Sequence, residues 1–583
     1  MLDRLHINQI DFKKHKEFWE KGYLYISVIA LMFGVYIAID RVGIYDWQKE
    51  IAYFSYIKES ITNYHSLPFF WWSKLDNVAW YPAPNHSSNF IGNPETMLFS
   101  PFGFLLLFVN SVHYIKIITF IHLLIGIIGL FKLRARLNID NLEFRTLVVL
   151  FMFSPIIIQH LAIGYTPWLN LFFFPLFLYF LLDKKILNSA VWISCILAIT
   201  LLQGGSHPLF WYILFLIIYS IAYTIVTSNI KVLLRIFLIA LFTFLLSFVR
   251  LYSTILSYGD FVQPCVRGYN IYNFIFYSLI PPFSRKIFIG KNFFDIFGVP
   301  SWDGGIFWGI SLFLFLVTLI KYGNYRINLS NSFNIKIGDS LLITSMCLFI
   351  LSFFTIYEDT IALINSIVKF PFTSIEKYPY RFAIFAYFGF SVVSVLHIKS
   401  FYKDLNNFFN EHLSRFFKKR DISILFELIM VISFLIVCSF WFVEGLSNMP
   451  DAYPNQSIES PKIVISAGGQ ILSSNEMDFK VDVSPKDIII SNSSEDSRNI
   501  KYILPEIVFR DYRFLSISSD NAAFSNESGH LALVPKDTNP IILTFKESAY
   551  MPGVIVSIIS WCGVILFSLF MLFVPSKKIQ RIS

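Results

Sequence analysis

Apolar residues run along the chain in blocks of about twenty, separated by polar stretches, and this alternation predicts helices that cross a bilayer. A span needs about 20 mainly apolar residues. Blocks of that kind lie near 22–39, 112–131, 145–162, 168–182, 188–203, 209–227, 235–250, 304–321, 339–356, 381–398, 423–443 and 552–574. The apolar stretch 99–110 is too short to span and reads as a half-helix or the outer start of the second span. The first block follows about twenty polar residues without a small-residue cleavage site, so it reads as a retained signal anchor. The pattern changes after residue 450. Short β-prone runs at 462–466, 479–483, 487–491, 502–509, 512–518, 530–535 and 541–545 are bounded by Ser, Asn, Pro, Gly and Asp. They predict a small antiparallel sandwich.

Composition supports a membrane chain. Of 583 residues, 55% are hydrophobic and only 15% charged, with 65 Phe. A soluble domain carries about 25% charged residues, so these charges are too few to cover a soluble surface. The formal charge of +8 does not point to nucleic acid, because Lys and Arg sit mostly in short runs between apolar blocks. Their distribution sets the orientation instead. With the N-terminus inside, the inner segments hold 25 Lys and Arg in about 99 residues, and the four long outer segments hold 21 in about 258. The expected architecture is therefore an all-α polytopic membrane protein of about 12 transmembrane helices, with both termini cytoplasmic and a C-terminal extracytoplasmic β-sandwich-like domain. It divides into a cytoplasmic segment 1–21, a membrane domain 22–443, the β-rich domain 444–551, and a closing span with its tail, 552–583. The long outer loops are 41–111 and 250–303, which places any elaborate site at the outer surface. The five Cys residues are dispersed without a CxxC pair, and four of them lie inside apolar stretches. Neither a disulfide framework nor a zinc site is expected.

The first outer loop carries the candidate chemistry. Its probable helix, 47–64, presents Trp47, Ile51, Phe54, Ile57 and Ile61 on one face and is expected to lie in the interface. The aromatic stretch that follows contains Pro82, Pro84, Gly92 and Pro94, which exclude regular structure. Irregular backbone at membrane depth is tolerated only against protein or a wet cavity. The acids here are Asp40, Asp46, Asp76 and Glu95, and any of them could cap a helix or turn. An acid at the outer edge can also act as a general base toward a hydroxyl. Asp46 is favoured over Asp40, which abuts Arg41. Arg250, Arg267, Lys286 and Arg381 supply cations at the outer rim. Such cations suit a phosphate or simply snorkel to lipid headgroups. His160 and His207 end or begin outer turns, where a histidine serves as a ligand contact or as a structural hydrogen bonder. No His cluster at metal-ligand spacing supports a divalent ion, and no cofactor is called for. The β-rich domain holds no His, Asp or Cys cluster and reads as a lid or binding module.

The layout resembles the GT-C superfamily of membrane glycosyltransferases. The likeness lies in Asp46 within IYDWQ (44–48), in the long first outer loop, and in GNPETMLFSP (92–101) leading to the second span. GYTPWLNLFFFPL (164–176), QGGSHP (203–208) and KYPYRF (377–382) look most like the bacterial YfhO-like membrane proteins, which also carry an outer β domain and a closing span. The resemblance implies a multi-pass protein of the bacterial cytoplasmic membrane. It implies transfer of a hexosyl or pentosyl group, with inversion, from a polyprenyl-phosphate-sugar donor to a glycan or glycolipid acceptor of the cell envelope. Asp46 would be the base, and Arg250, Arg267, Lys286 and Arg381 would hold the donor phosphate. Trp80, Tyr81, His86 and His207 would contact substrate. Many relatives pair their acids closely in this loop, whereas Asp40 and Asp46 are six apart. The alternatives are a lipid-linked glycan flippase or transporter, or a glycan polymerase.

Overall fold

The computed structural model describes residues 46–69, 90–154, 166–258, 311–327, 332–352, 383–412 and 425–432, most of 464–573, and a few isolated positions. Among the described residues five helices are long and apolar enough to cross a membrane, or six if one bent pair is a single span, so the protein is membrane-embedded. In chain order the described helices are α1 (Asp46–Tyr64), α2 (Ser111–Leu137), α3 (Asn141–Met152), α4 (Phe174–Leu181), α5 (Ile186–Leu202), α6 (Ser206–Thr227) and α7 (Lys231–Leu246). They continue with α8 (Phe248–Tyr258), α9 (Ser311–Ile320), α10 (Tyr322–Ile327), α11 (Ser332–Leu351), α12 (Ala383–His412) and α13 (Met551–Phe573). The five long spans are α2, α6, α11, α12 and α13, and each overlaps an expected block. Residues 22–39 and most of 423–443 lie outside the described residues.

Three expected spans take a different form. The block at 235–250 is not one straight helix: α7 and α8 meet at 73°. The block at 168–182 opens as a 3-10 helix, Thr166–Phe173, before α4: Pro175 has no N–H to give to the Leu171 carbonyl, so an α-helix cannot run through it from 166, whereas in the first turn of α4 no such donor is needed. In the block at 145–162, α3 ends at Met152, since a residue before proline avoids the α region and Ser154 precedes Pro155; beyond Ser154 only Ile157 is described, and it is helical. The stretch 99–110 forms a 3-10 turn, Gly103–Leu107, and Asn110 then caps α2 by accepting from the His113 amide. Exposed apolar stripes mark the lipid side, as in Ile217, Ile221 and Ile225 on α6, one helical turn apart.

Helix ends sort into two groups. At one end, Arg136 pairs with Asp183 at 3.5 Å, Lys399 with Asp140 at 2.9 Å, Lys321 with Asp404 at 2.6 Å and Arg326 with Asp339 at 2.9 Å. Asn334 donates to the Leu137 carbonyl at 3.1 Å. All of these residues except Asp339, which opens the expected block at 339–356, come from segments that the charge bias assigns to the cytoplasm. At the opposite end lie α1 with the 90–110 segment, the start of α6 and the β domain.

Among the described residues that domain has nine strands, β1 (Val464–Ala467), β2 (Gln470–Leu472), β3 (Phe479–Val483), β4 (Asp487–Asn492), β5 (Ile500–Val508), β6 (Leu515–Ile517), β7 (Ala522–Glu527), β8 (His530–Pro535) and β9 (Ile541–Phe545), in two antiparallel sheets ordered β2-β1-β5-β8-β7 and β3-β4-β9-β6. Ile488, Ile490, Ile541 and Leu543 of one sheet share a core with Tyr502, Leu504, Leu531 and Leu533 of the other, as in a sandwich. Strands β2 (Gln470–Leu472) and β7 (Ala522–Glu527) were not among the expected runs. The domain sits on the first outer loop: Phe69 and Ile91 enter its core, and Phe69 stacks on Phe545 at 4.2 Å.

A candidate site at the outer corner

Helix α1 is not interfacial. Trp47, Ile51, Phe54 and Ile57 are buried as expected, yet Tyr53, Tyr56 and Ser60 are buried too. Phe54 packs on Tyr114 at 4.8 Å, and Ser55 bonds Ser111 at 2.8 Å. Protein covers most of the helix before its exposed last residues, Thr62–Tyr64, and it buries the polar residues Glu50 and Ser60 along with the apolar face. Glu50 is only 2% exposed and accepts a hydrogen bond from the Thr166 hydroxyl at 2.9 Å. Lys49 lies 3.7 Å from Glu50 and 3.1 Å from Glu95. Two carboxylates thus share one ammonium, with Glu50 behind and Glu95 the more open of the two, its side chain 34% exposed.

The turn bearing Glu95 is fixed from three sides. Asn93 accepts from the Glu95 amide at 3.0 Å and donates to the Tyr53 hydroxyl at 3.3 Å. Gly204, at φ +75°, lies so close that a Cβ there would fall 2.3 Å from the Glu95 carbonyl. A positive φ and that approach leave glycine as the fit. The third side is Arg250.

Arg250 corrects the expectation of a phosphate ligand. Its side chain has zero exposure. Nη1 donates to the Ile91 carbonyl at 3.1 Å, the Asn93 carbonyl at 2.7 Å and the Thr96 hydroxyl at 3.2 Å, and Nη2 donates to the Thr96 carbonyl. The guanidinium stacks over Phe99 at 5.0 Å. It organises a turn that lacks regular hydrogen bonding, which is a frequent use of its planar fork.

QGGSHP joins the same corner. Gly205 packs against Asn170, since a Cβ there would meet Asn170 Nδ2 at 2.8 Å. His122 donates from Nδ1 to the Ile118 carbonyl at 2.7 Å, and the Gln203 amide lies 2.9 Å from Nε2. His207, the second residue of α6, lies against Trp211 at 6.4 Å, and Trp211 packs on Trp168 at 5.1 Å and Phe385 at 6.3 Å. Buried Arg381 stands two residues before α12, the helix that carries Phe385.

Asp46 is the first residue of α1, one turn before Glu50. Asp40, Asp76, Trp80, Tyr81, His86, His160, Arg267 and Lys286 lie outside the described residues. Lys49 and Glu50 were missed as site residues. The signal was present: Glu50 lies three residues after Trp47 and four before Phe54, inside the apolar stripe of α1. Among the described residues no His, Cys, Asp and Glu group could hold a metal. The corner therefore offers two carboxylates (Glu50 and Glu95), one ammonium (Lys49), a histidine (His207) and a Trp ring (Trp168) from four polar segments, with Trp211 of α6 packed on Trp168 and Arg250 of α8 held against the 91–96 turn. Comparison with family models, with curated proteins and with solved structures finds no match.

Proposed function

We propose that the protein is a membrane glycosyltransferase that moves a sugar from a polyprenyl-phosphate carrier to an acceptor hydroxyl at its outer surface. The observation that carries this reading is the convergence of 46–50, 93–96, 164–170 and 203–207 on one corner, with Glu95 open beside Lys49 and Glu50. Asp46 or Glu95 takes the proton as the acceptor oxygen attacks the anomeric carbon. That bond forms as the bond to the carrier phosphate breaks, and the electron pair leaves with the phosphate. Such base catalysis contributes about 10²–10⁴-fold. Glu50 and Lys49 set the charge around the base. The phosphate needs a cation, because charge develops there in the transition state. Arg381 is the described candidate, and Arg267 and Lys286 complete the proposal. Trp168 and Trp211 provide aromatic surface of the kind sugars pack against.

One observation favours a second reading. The 73° break between α7 and α8 is the kind of discontinuous helix that transporters use at their binding sites. Reconstituted vesicles given a panel of labelled polyprenyl-phosphate sugars separate the two. The transferase reading expects labelled sugar in the acceptor fraction and free polyprenyl phosphate. Movement of the intact lipid-linked sugar between leaflets, without cleavage, would replace it with transport.

A further inference from the structure

The α7–α8 break occurs where the chain has neither Gly nor Pro: residues 243–250 read TFLLSFVR. In a straight helix the Leu246 carbonyl would accept from the Arg250 amide, and the Val249 amide would donate to residue 245. Here the Arg250 amide bonds Ser247 instead, at 3.0 Å. Ser247 turns its hydroxyl back to the Thr243 carbonyl at 2.6 Å, a contact that bends helices. The freed backbone groups lie among buried apolar residues, where unpaired polar groups are costly.

Helix α13 satisfies both. The Val249 amide donates to the Ser557 hydroxyl at 2.9 Å, and Trp561 Nε1 donates to the Leu246 carbonyl at 3.1 Å. Gly553 allows the approach, since a Cβ there would lie 3.1 Å from Val249 Cα. Trp561, Val564 and Phe567 complete the contact by packing against Leu246 and its neighbours. The residue after Val249 is Arg250, whose guanidinium holds the Ile91–Thr96 turn.

We propose that α13 is a latch on the broken helix: Ser557 and Trp561 are positioning residues that keep the break bent, aim Arg250 at the 91–96 turn, and so place Glu95. A straightened α7–α8 would carry Arg250 away from the turn. The latch also ties the turn to the β domain, because only five residues separate β9 from α13, with Tyr550 stacked on Phe545 at 5.3 Å. It does not depend on the reaction the corner performs.

Hydrogen exchange read by mass spectrometry on the full chain in lipid nanodiscs tests this at the distant turn. Ser557→Ala leaves a buried donor unpaired, so amides of 90–100 exchange roughly fivefold faster or more. Ser557→Thr restores the slow rate, and Trp561→Phe, which keeps the ring, reproduces the acceleration if Ser557→Ala does not fold. In an Arg250→Met background, Ser557→Ala adds nothing at 90–100. Faster exchange confined to 244–258, with 90–100 unchanged, overturns the proposal. So does an effect at 90–100 that persists undiminished without Arg250.

Discussion

Replacing Arg250 by Lys keeps the charge and removes the fork. In the structure the guanidinium serves three main-chain carbonyls and the Thr96 hydroxyl from a site with zero exposure. A single ammonium cannot reach all four along the same directions. Each buried acceptor left without a donor costs about 1–3 kcal/mol. Because the acceptors share one turn their losses are not additive, and the total for Arg250→Met comes to about 4 kcal/mol, with Arg250→Lys at about half of that. Such a loss is a large share of a stability of about 5–15 kcal/mol. Equilibrium unfolding of the purified chain in mixed micelles, titrated with dodecyl sulfate, measures it. If Arg250→Lys unfolds within about 0.5 kcal/mol of the parent, like an ordinary surface change, while losing affinity for a polyprenyl phosphate, the guanidinium is a ligand and the structural role assigned to it is wrong.

Other outcomes follow from the same geometry. Gly204→Ala forces a side chain at φ +75° into the Glu95 carbonyl and lowers stability by about 1–3 kcal/mol; an unchanged melting temperature would refute the close approach. Arg145 and Glu427 form a buried pair at 2.6 Å. Removing either partner alone costs about 3–5 kcal/mol, and the double change to Met recovers much of that; additive losses in the double mutant would contradict the pairing. Thr166→Val takes the hydroxyl from buried Glu50 and destabilises by about 1–3 kcal/mol, an effect that should shrink in a Glu50→Gln background. At the opposite end, burial works to raise the Asp140 carboxyl, but the Glu143 amide and Lys399 outweigh it and hold Asp140 below its ordinary value. A depressed folded value means stability present above the ordinary carboxylate range and lost as pH falls through the folded value. Asp140→Ala therefore costs about 1 kcal/mol at neutral pH, and the gap between variant and parent narrows below the ordinary value of 3.8. A gap that widens in acid would reverse the sign.

The long spans and most strands were legible because burial repeats at a fixed period, and lipid-facing stripes such as Ile217, Ile221 and Ile225 strengthen that signal. The polar turn at 203–208 also showed as a break between two blocks, whereas the positive φ of Gly204 appears only in the structure. What was hidden depends on contacts distant in sequence. The α7–α8 break has no local breaker and exists because Ser557 and Trp561, some 300 residues away, satisfy its backbone. Arg250 looks like a rim cation from its place at a block end, yet the 91–96 turn draws it inside. Helix α1 shows an amphipathic face, and only the fold reveals that its polar face is covered as well. β7 reads AAFSNE, too polar to stand out, and is recruited by pairing with β8.

The account's central claim is that chemistry takes place at the corner where Lys49, Glu50 and Glu95 gather. It is tested most directly in sealed vesicles of known orientation, with labelled polyprenyl-phosphate sugar supplied only to the leaflet facing that corner. The account predicts release of polyprenyl phosphate by the parent chain, its loss in Asp46→Asn combined with Glu95→Gln, and no change in Lys321→Gln at the opposite end. Equal release from the parent and the doubly substituted chain would contradict it.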